Sequence, residues 1–177
     1  MNKKTQMIVE AGVMMALAYA LSLVSIWKMP QGGSVTPGSM IPILIYAYRW
    51  GPKNGIFVGV VYGLIQFILG PKWSFHPVSV LFDYPIAFGA LGVAGLFGKG
   101  FAKGSIGITV GIALRFVCHV ISGVVVFASY APEGMNPLLY SAIYNGSYLG
   151  IELIISVVVF ALLFKPLERA DIMKKVA

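Results

Sequence analysis

The sequence is poor in what a water-soluble enzyme is built from. Charged side chains make up 11% of its 177 residues, six of them acidic, and there are two histidines and one cysteine. An ordinary soluble domain has about a quarter of its residues charged, so there is too little polar surface here to cover a ball in water. A lone cysteine, Cys118, excludes an intrachain disulfide, and its place inside an apolar run marks it as a packing residue. His76, His119 and Cys118 do not have the spacing of a zinc site. No HExxH pair, phosphate-binding glycine loop or GxSxG elbow occurs. The chain therefore reads as neither an enzyme nor an ATPase, and no cofactor is expected.

What is present is hydrocarbon. Apolar residues reach 58% and the mean hydropathy is +0.86. With about 20 apolar residues and a turn for each crossing, about six crossings fill the chain, which leaves residues 1–177 as one transmembrane domain. The apolar runs predict helices at about 7–27, 40–50, 54–70, 80–97, 104–129 and 138–165, an all-α polytopic architecture. The MNKKTQ start leads into an apolar stretch with Glu10 and no small-residue cleavage site, which suits a retained first helix. The second helix is short. It carries Pro42 in its first turn and ends on Arg49 and Trp50, both expected to reach the interface.

The cations give the orientation. Ten of the thirteen (Lys3, Lys4, Arg49, Lys53, Lys99, Lys103, Lys165, Arg169, Lys174 and Lys175) fall on one side, against Lys28 and Lys72 on the other. Cytoplasmic loops are enriched in Lys and Arg, so both termini are expected inside. The net charge of +7 then faces an anionic inner leaflet and needs no nucleic-acid partner.

Polar residues inside the spans mark the candidate site, because each ionisable group there costs about 2.5–3.5 kcal/mol to insert. Glu10, Asp83, Arg115 and Glu152 qualify, with His119 beside them. Arg115, His119 and Gly123 recur every four residues and share a helix face with Ser122; Tyr140, Tyr144 and Tyr148 do the same next to Ser141, Asn145 and Glu152. Asp83 and Tyr84 are expected in the first, outer turn of the fourth helix, after Trp73 and His76. A carboxylate, an imidazole, an amide and several aromatic faces suit a small planar ligand that is cationic or rich in hydrogen-bond donors. The alternative is a structural network in which Asp83 neutralises Arg115 and the tyrosines anchor the interface. On the first helix Gly12, Ala16 and Ala20 form a small-residue row, suited to a close helix contact inside the bundle or with a partner.

The segments MPQGGS (29–34), SMIPI with YRWG (39–43 and 48–51), HPVSVLFDY (76–84), LRFVCHVISG (114–123) and YSAIYNGSY (140–148) resemble the thiamine-specific S-components, the substrate-binding membrane subunits of energy-coupling factor (ECF) vitamin transporters. The likeness runs in order over nearly the whole chain. It implies a six-helix S-component fold in the bacterial plasma membrane and a high-affinity thiamine site open to the outside. It also implies partnership with a transmembrane coupling subunit and two ATPases. The vitamin contacts fall, by resemblance, on Asp83, Arg115, His119, Tyr140 and Asn145, with Gly123 against the ligand and Trp73 and Tyr84 near it. Relatives carry Glu, Lys and a stacking Trp where this chain has Asp83, Arg115 and Phe127, and a Trp in the first external loop where it has Gly32 and Gly33; Trp27 is a candidate substitute. Small-residue rows on the first helix serve the coupling contact in such proteins, which assigns that role to Gly12, Ala16 and Ala20. Thiamine's thiazolium and aminopyrimidine match the donor set, but so do other nitrogen heterocycles. The competing readings are an S-component for another such vitamin and an ion-driven secondary transporter. The loop at about 28–39, rich in Pro and Gly, is expected to cover the pocket.

Overall fold

Ten residues decide the layout. Ile41–Trp50 form α2, with Pro42 in its first turn, Gly51 at φ 83° beyond its end, and every side chain between them buried. At 1.5 Å per residue such a helix is about 15 Å long, half the hydrocarbon thickness of a bilayer. It cannot cross alone, and the rest of the chain wraps around it. The structure is a computed structural model that describes residues 2–170.

Before α2 come α1 (Lys3–Ser22) and a two-stranded antiparallel hairpin, β1 (Trp27–Lys28) with β2 (Ser34–Val35), in which Trp27 faces Val35. After it come α3 (Pro52–Leu69), α4 (Pro77–Asp83), α5 (Pro85–Ala90) continuing as a 3-10 segment over Leu91–Phe97, α6 (Phe101–Val126), a 3-10 turn over Ala128–Tyr130, and α7 (Pro137–Arg169). Among the described residues, five helical stretches are long and apolar enough to cross a membrane: α1, α3, Pro77–Phe97, α6 and α7. The fold is thus an all-α polytopic membrane architecture with a sixth, buried half-length helix.

The departures from the hydropathy reading have local causes. The first helix, expected over 7–27, starts at Lys3, where the Asn2 side chain accepts from the Thr5 amide at 2.8 Å, and stops at Ser22. Beyond it the Ile26 amide donates to the Val35 carbonyl at 2.8 Å, so the apolar run Leu23–Trp27 enters the hairpin instead of extending the helix. The fourth crossing, expected over 80–97, starts at Pro77 and breaks at Tyr84 (φ −117°, ψ −90°). Pro85 lacks an amide hydrogen and crowds the residue before it out of helical geometry. Asp83 is consequently the last residue of α4 and not, as expected, in an outer first turn. The fifth and sixth helices, expected over 104–129 and 138–165, run from Phe101 to Val126 and from Pro137 to Arg169. The last one passes Pro166 near its end, where the missing amide removes only one bond. Lys174 and Lys175 lie outside the described residues.

Arg49 and Trp50 do not reach for the interface. Both are buried, and both meet Glu10 of α1: Arg49 Nε stands 2.8 Å from Glu10 Oε2, and Trp50 Nε1 donates to the same oxygen at 2.6 Å. Gln6 Nε2 donates to Glu10 Oε1 at 3.0 Å. Glu10 thus bonds α1 to α2, and at the other end of α1 Ser22 Oγ accepts from Gln66 of α3 at 2.9 Å. Between them a stripe of Met7, Ala11, Met14, Met15, Ala18 and Tyr19 packs on the core.

A small-residue seam does run through the bundle, on α3. Gly55, Gly59 and Gly63 press against the broken fourth crossing and α2: a Cβ on Gly63 would stand 2.6 Å from the Tyr84 carbonyl oxygen, and one on Gly55 2.5 Å from the Ala47 Cβ. Gly59 has no room either, lying against the Phe88 carbonyl. The Gly12, Ala16 and Ala20 row of α1 is exposed along its length, with no atom near the place where a Gly12 Cβ would be.

Candidate ligand site and family

Because α2 covers only half of its track, the space above its N-terminus stays open. Ser39 and Met40 at the start of α2 border a cavity of about 570 Å³, and the hairpin segment from Lys28 to Ser34 borders it as well. Its size is within the range of small-molecule sites.

One wall is built on Asp83, which the break at Pro85 turns toward α6. Oδ1 accepts from His119 Nδ1 at 2.9 Å, and Oδ2 accepts from Ser79 Oγ and Ser122 Oγ, each at 2.6 Å. Arg115 Nε donates to His119 Nε2 at 3.2 Å. A guanidinium only donates, so Nε2 carries the lone pair and the ring proton sits on Nδ1, directed at the carboxylate. His119 is thus a neutral relay between the two charges, which replaces the direct Asp83–Arg115 neutralisation weighed from sequence. The Arg115 guanidinium lies 4.0 Å from the centroid of the Phe88 ring, a cation–π contact that fills part of its desolvated surroundings.

The opposite wall is α7. Tyr140, Tyr144, Tyr148 and Glu152 descend it at four-residue intervals, about 18 Å from top to bottom at the helical rise. Asn145 donates to the Ser141 carbonyl at 2.9 Å, and its Oδ1 accepts from Tyr148 Oη at 3.0 Å. Gly123 of α6 meets α7 here: a Cβ on it would stand 3.0 Å from the Ser141 Cβ and closer still to its hydroxyl. Its missing side chain therefore sets the helix crossing as well as bordering the cavity.

The roof is the hairpin turn. Gly32 and Gly33 adopt φ 95° and 87°, conformations that side chains resist, and lie against Trp73 and Tyr148 so closely that a Cβ would stand 2.7 and 2.6 Å away. Tyr144 Oη accepts from the Gln31 amide at 2.8 Å and donates to the Gly32 carbonyl at 2.9 Å. Below the turn, the Thr36 hydroxyl donates to Glu152 Oε1 at 2.7 Å, and the Thr36 amide donates to the same oxygen.

Asp83, Tyr84, Arg115, His119, Gly123, Phe127, Tyr140, Asn145 and Trp73 all border this one cavity. Trp27 does not. It is half exposed on β1, and the indole beside the turn is Trp73. His76 stands apart, its Nδ1 accepting from the Val78 amide at 3.2 Å to cap α4.

The sequence matches the model of the family described as thiamine transporter protein (Thia_YuaJ) over residues 8–171. The chain belongs to the thiamine transporter family. It is 38% identical to the protein of Bacillus subtilis (strain 168) named Thiamine transporter ThiT, with 96% of each chain covered. A protein of the same name from Lacticaseibacillus paracasei is 30% identical, with 92% of this chain and 88% of that one covered. The solved structure of ThiT from Listeria monocytogenes superposes with a TM-score of 0.86 at 22% identity, over 98% of this chain and 100% of that one, a likeness of fold. As a member of a family of transporters, the chain is a multi-pass protein of the bacterial plasma membrane and not an enzyme.

The thiamine transporter fold brings to the cavity residues that sequence reasoning did not select. Gln66, the one amide in the outer half of α3, bridges Ser22 Oγ at 2.9 Å and the Tyr62 hydroxyl; its isolation among apolar neighbours is a usable signal. Thr36, Ser39 and Met29 sit in the loop and carried none. Glu152 was visible as a buried carboxylate, but its place on the cavity floor depends on the loop folding back to it.

Proposed function

We propose that the chain is the thiamine-binding S-component of an ECF importer, which captures thiamine at the outer face and delivers it with a transmembrane coupling subunit and two ATPases. The observation that carries this reading is the convergence of nine residues, chosen from motifs scattered between positions 73 and 145, on one cavity under the hairpin turn. The chemistry supports it. Asp83 offers a carboxylate to a cationic ligand, the Asn145 and Ser141 edge suits an aminopyrimidine, and Phe127, Tyr140 and Tyr144 offer faces for its rings. Names of the relatives support the vitamin. The coupling role rests on α1, whose Gly12, Ala16 and Ala20 row is left open for a close helix contact.

Titration of the purified protein with thiamine, followed by Trp fluorescence, tests the reading. Trp73 touches the roof of the cavity, so a saturable change at one thiamine per chain is expected. No change in fluorescence, together with no heat in a calorimetric titration, overturns it.

A further inference from the structure

The cavity holds two carboxylates that stand in opposite states. Asp83 already accepts three hydrogen bonds, from His119, Ser79 and Ser122, out of the roughly four that a carboxylate can take. Glu152, twelve residues below Tyr140 on α7, gives one oxygen to Thr36 and leaves the other, Oε2, buried with no partner. The residue is 3% exposed and borders the cavity floor. Holding Thr36 needs only one acceptor oxygen, which a glutamine amide supplies without bringing a charge into the membrane. The second oxygen is therefore the part of Glu152 that the fold itself does not use.

Counting charge around the cavity gives that oxygen a task. Arg115 balances one carboxylate, and His119 is held neutral by its two bonds. Lys28 also borders the cavity but is exposed to solvent at its mouth, where water and salt screen it. With Glu152 ionised, the two carboxylates exceed the single buried guanidinium by one negative charge, an excess that a cationic ligand neutralises.

We propose that Glu152 is a specificity-determining residue, whose charge makes the cavity select a ligand carrying one permanent positive charge over an uncharged ligand of the same shape. The inference rests on the thiamine reading above. It adds the charge of the floor to that of Asp83, which its bonds to His119, Ser79 and Ser122 fix in the wall.

The test compares two ligands on two proteins. Thiamine and an uncharged isostere with carbon in place of the thiazolium nitrogen are titrated calorimetrically into the full chain and into Glu152→Gln. The glutamine keeps an oxygen for Thr36, so the loop anchor survives. The expected result is that Glu152→Gln binds thiamine at least tenfold more weakly and the isostere within twofold of the unaltered protein, so that the preference for the cation falls by about the same tenfold. A preference unchanged by the substitution, whether both affinities fall together or neither falls, overturns the proposal and leaves Glu152 as an anchor for Thr36. Absence of thiamine binding by the unaltered protein overturns the functional reading itself, and the inference with it.

Discussion

The carboxylate clusters of Glu10 and Asp83 lie near opposite ends of the bundle, and they are used differently. At the inner end, Glu10 takes Arg49, Trp50 and Gln6, and apolar packing against α2 closes around it. At the outer end, Asp83 takes His119, Ser79 and Ser122 and borders a cavity of about 570 Å³. The cost of burying a carboxylate is offset in both by three or more donors. The difference lies in the neighbouring helix. α2 fills the inner half of the bundle and is absent from the outer half, so one cluster is a rivet between helices and the other a wall that a ligand can reach. A polar residue in a membrane helix thus takes its role from the volume beside it as much as from its own chemistry.

The largest effect is expected at the rivet. Glu10→Ala removes the carboxylate that Arg49 and Trp50 both meet, a loss on the order of 3 kcal/mol, at the low end for a broken buried pair because a quarter of the Glu10 side chain is exposed. Thermal unfolding in a fixed detergent should begin roughly 5–10 °C lower, while thiamine affinity of the folded protein stays within twofold. An unchanged melting temperature would show that the inner cluster holds nothing together; a lost affinity would erase the division between the two ends.

At the wall the signs reverse. Asp83→Asn places an amide where three donors converge and removes the negative charge, which should weaken thiamine binding by at least tenfold, about 1.4 kcal/mol or more, with a smaller change in melting than at Glu10. Calorimetry that finds an affinity within twofold of the unaltered protein would make Asp83 a second rivet.

The roof gives a smaller effect. Tyr144→Phe removes both hydrogen bonds that hold the turn at Gln31 and Gly32, each worth about 1 kcal/mol. Amides 29–33 should exchange with solvent several-fold faster in the free protein, and thiamine should dissociate several-fold faster. If saturating thiamine leaves exchange of these amides unchanged in the unaltered protein, the turn is not a lid.

How much of this was legible in the sequence follows from the same contrast. Periodicity and cation placement revealed the apolar spans and the polar faces of α6 and α7, because both depend on spacing along one helix. The Arg49 and Trp50 expectation failed because snorkelling assumes a helix that reaches the interface, and α2 ends inside the bundle against Glu10. The break at Pro85, which aims Asp83, is written in the sequence, but hydropathy alone treats that proline as helix interior. Thr36 and Glu152 were out of reach: their meeting depends on a loop folding back over 116 positions of chain. Gly55, Gly59 and Gly63 had the same spacing as Gly12, Ala16 and Ala20, and sequence alone did not say which row the bundle would cover.

That last pair of rows gives the smallest expected effect on the isolated protein and the sharpest separation of functions. On α3 each glycine lies against backbone of the neighbouring crossing or of α2, so enlarging one would disrupt the bundle. On α1 the row is exposed beside Val9, Val13 and Leu17, and a Cβ on Gly12 would meet nothing of this chain. Ala16→Trp should therefore leave thermal stability and thiamine affinity of the purified subunit within experimental error of the unaltered protein. If the row is where a coupling subunit packs, the indole holds the two helices apart where close approach was needed, and ATP-dependent thiamine uptake by the assembled complex should fall at least tenfold. Undiminished uptake would move the coupling surface to another face. Loss of binding by the isolated subunit would mean that the outer cavity depends on the position of α1, which Ser22 and its bond to Gln66 at the cavity edge would then transmit.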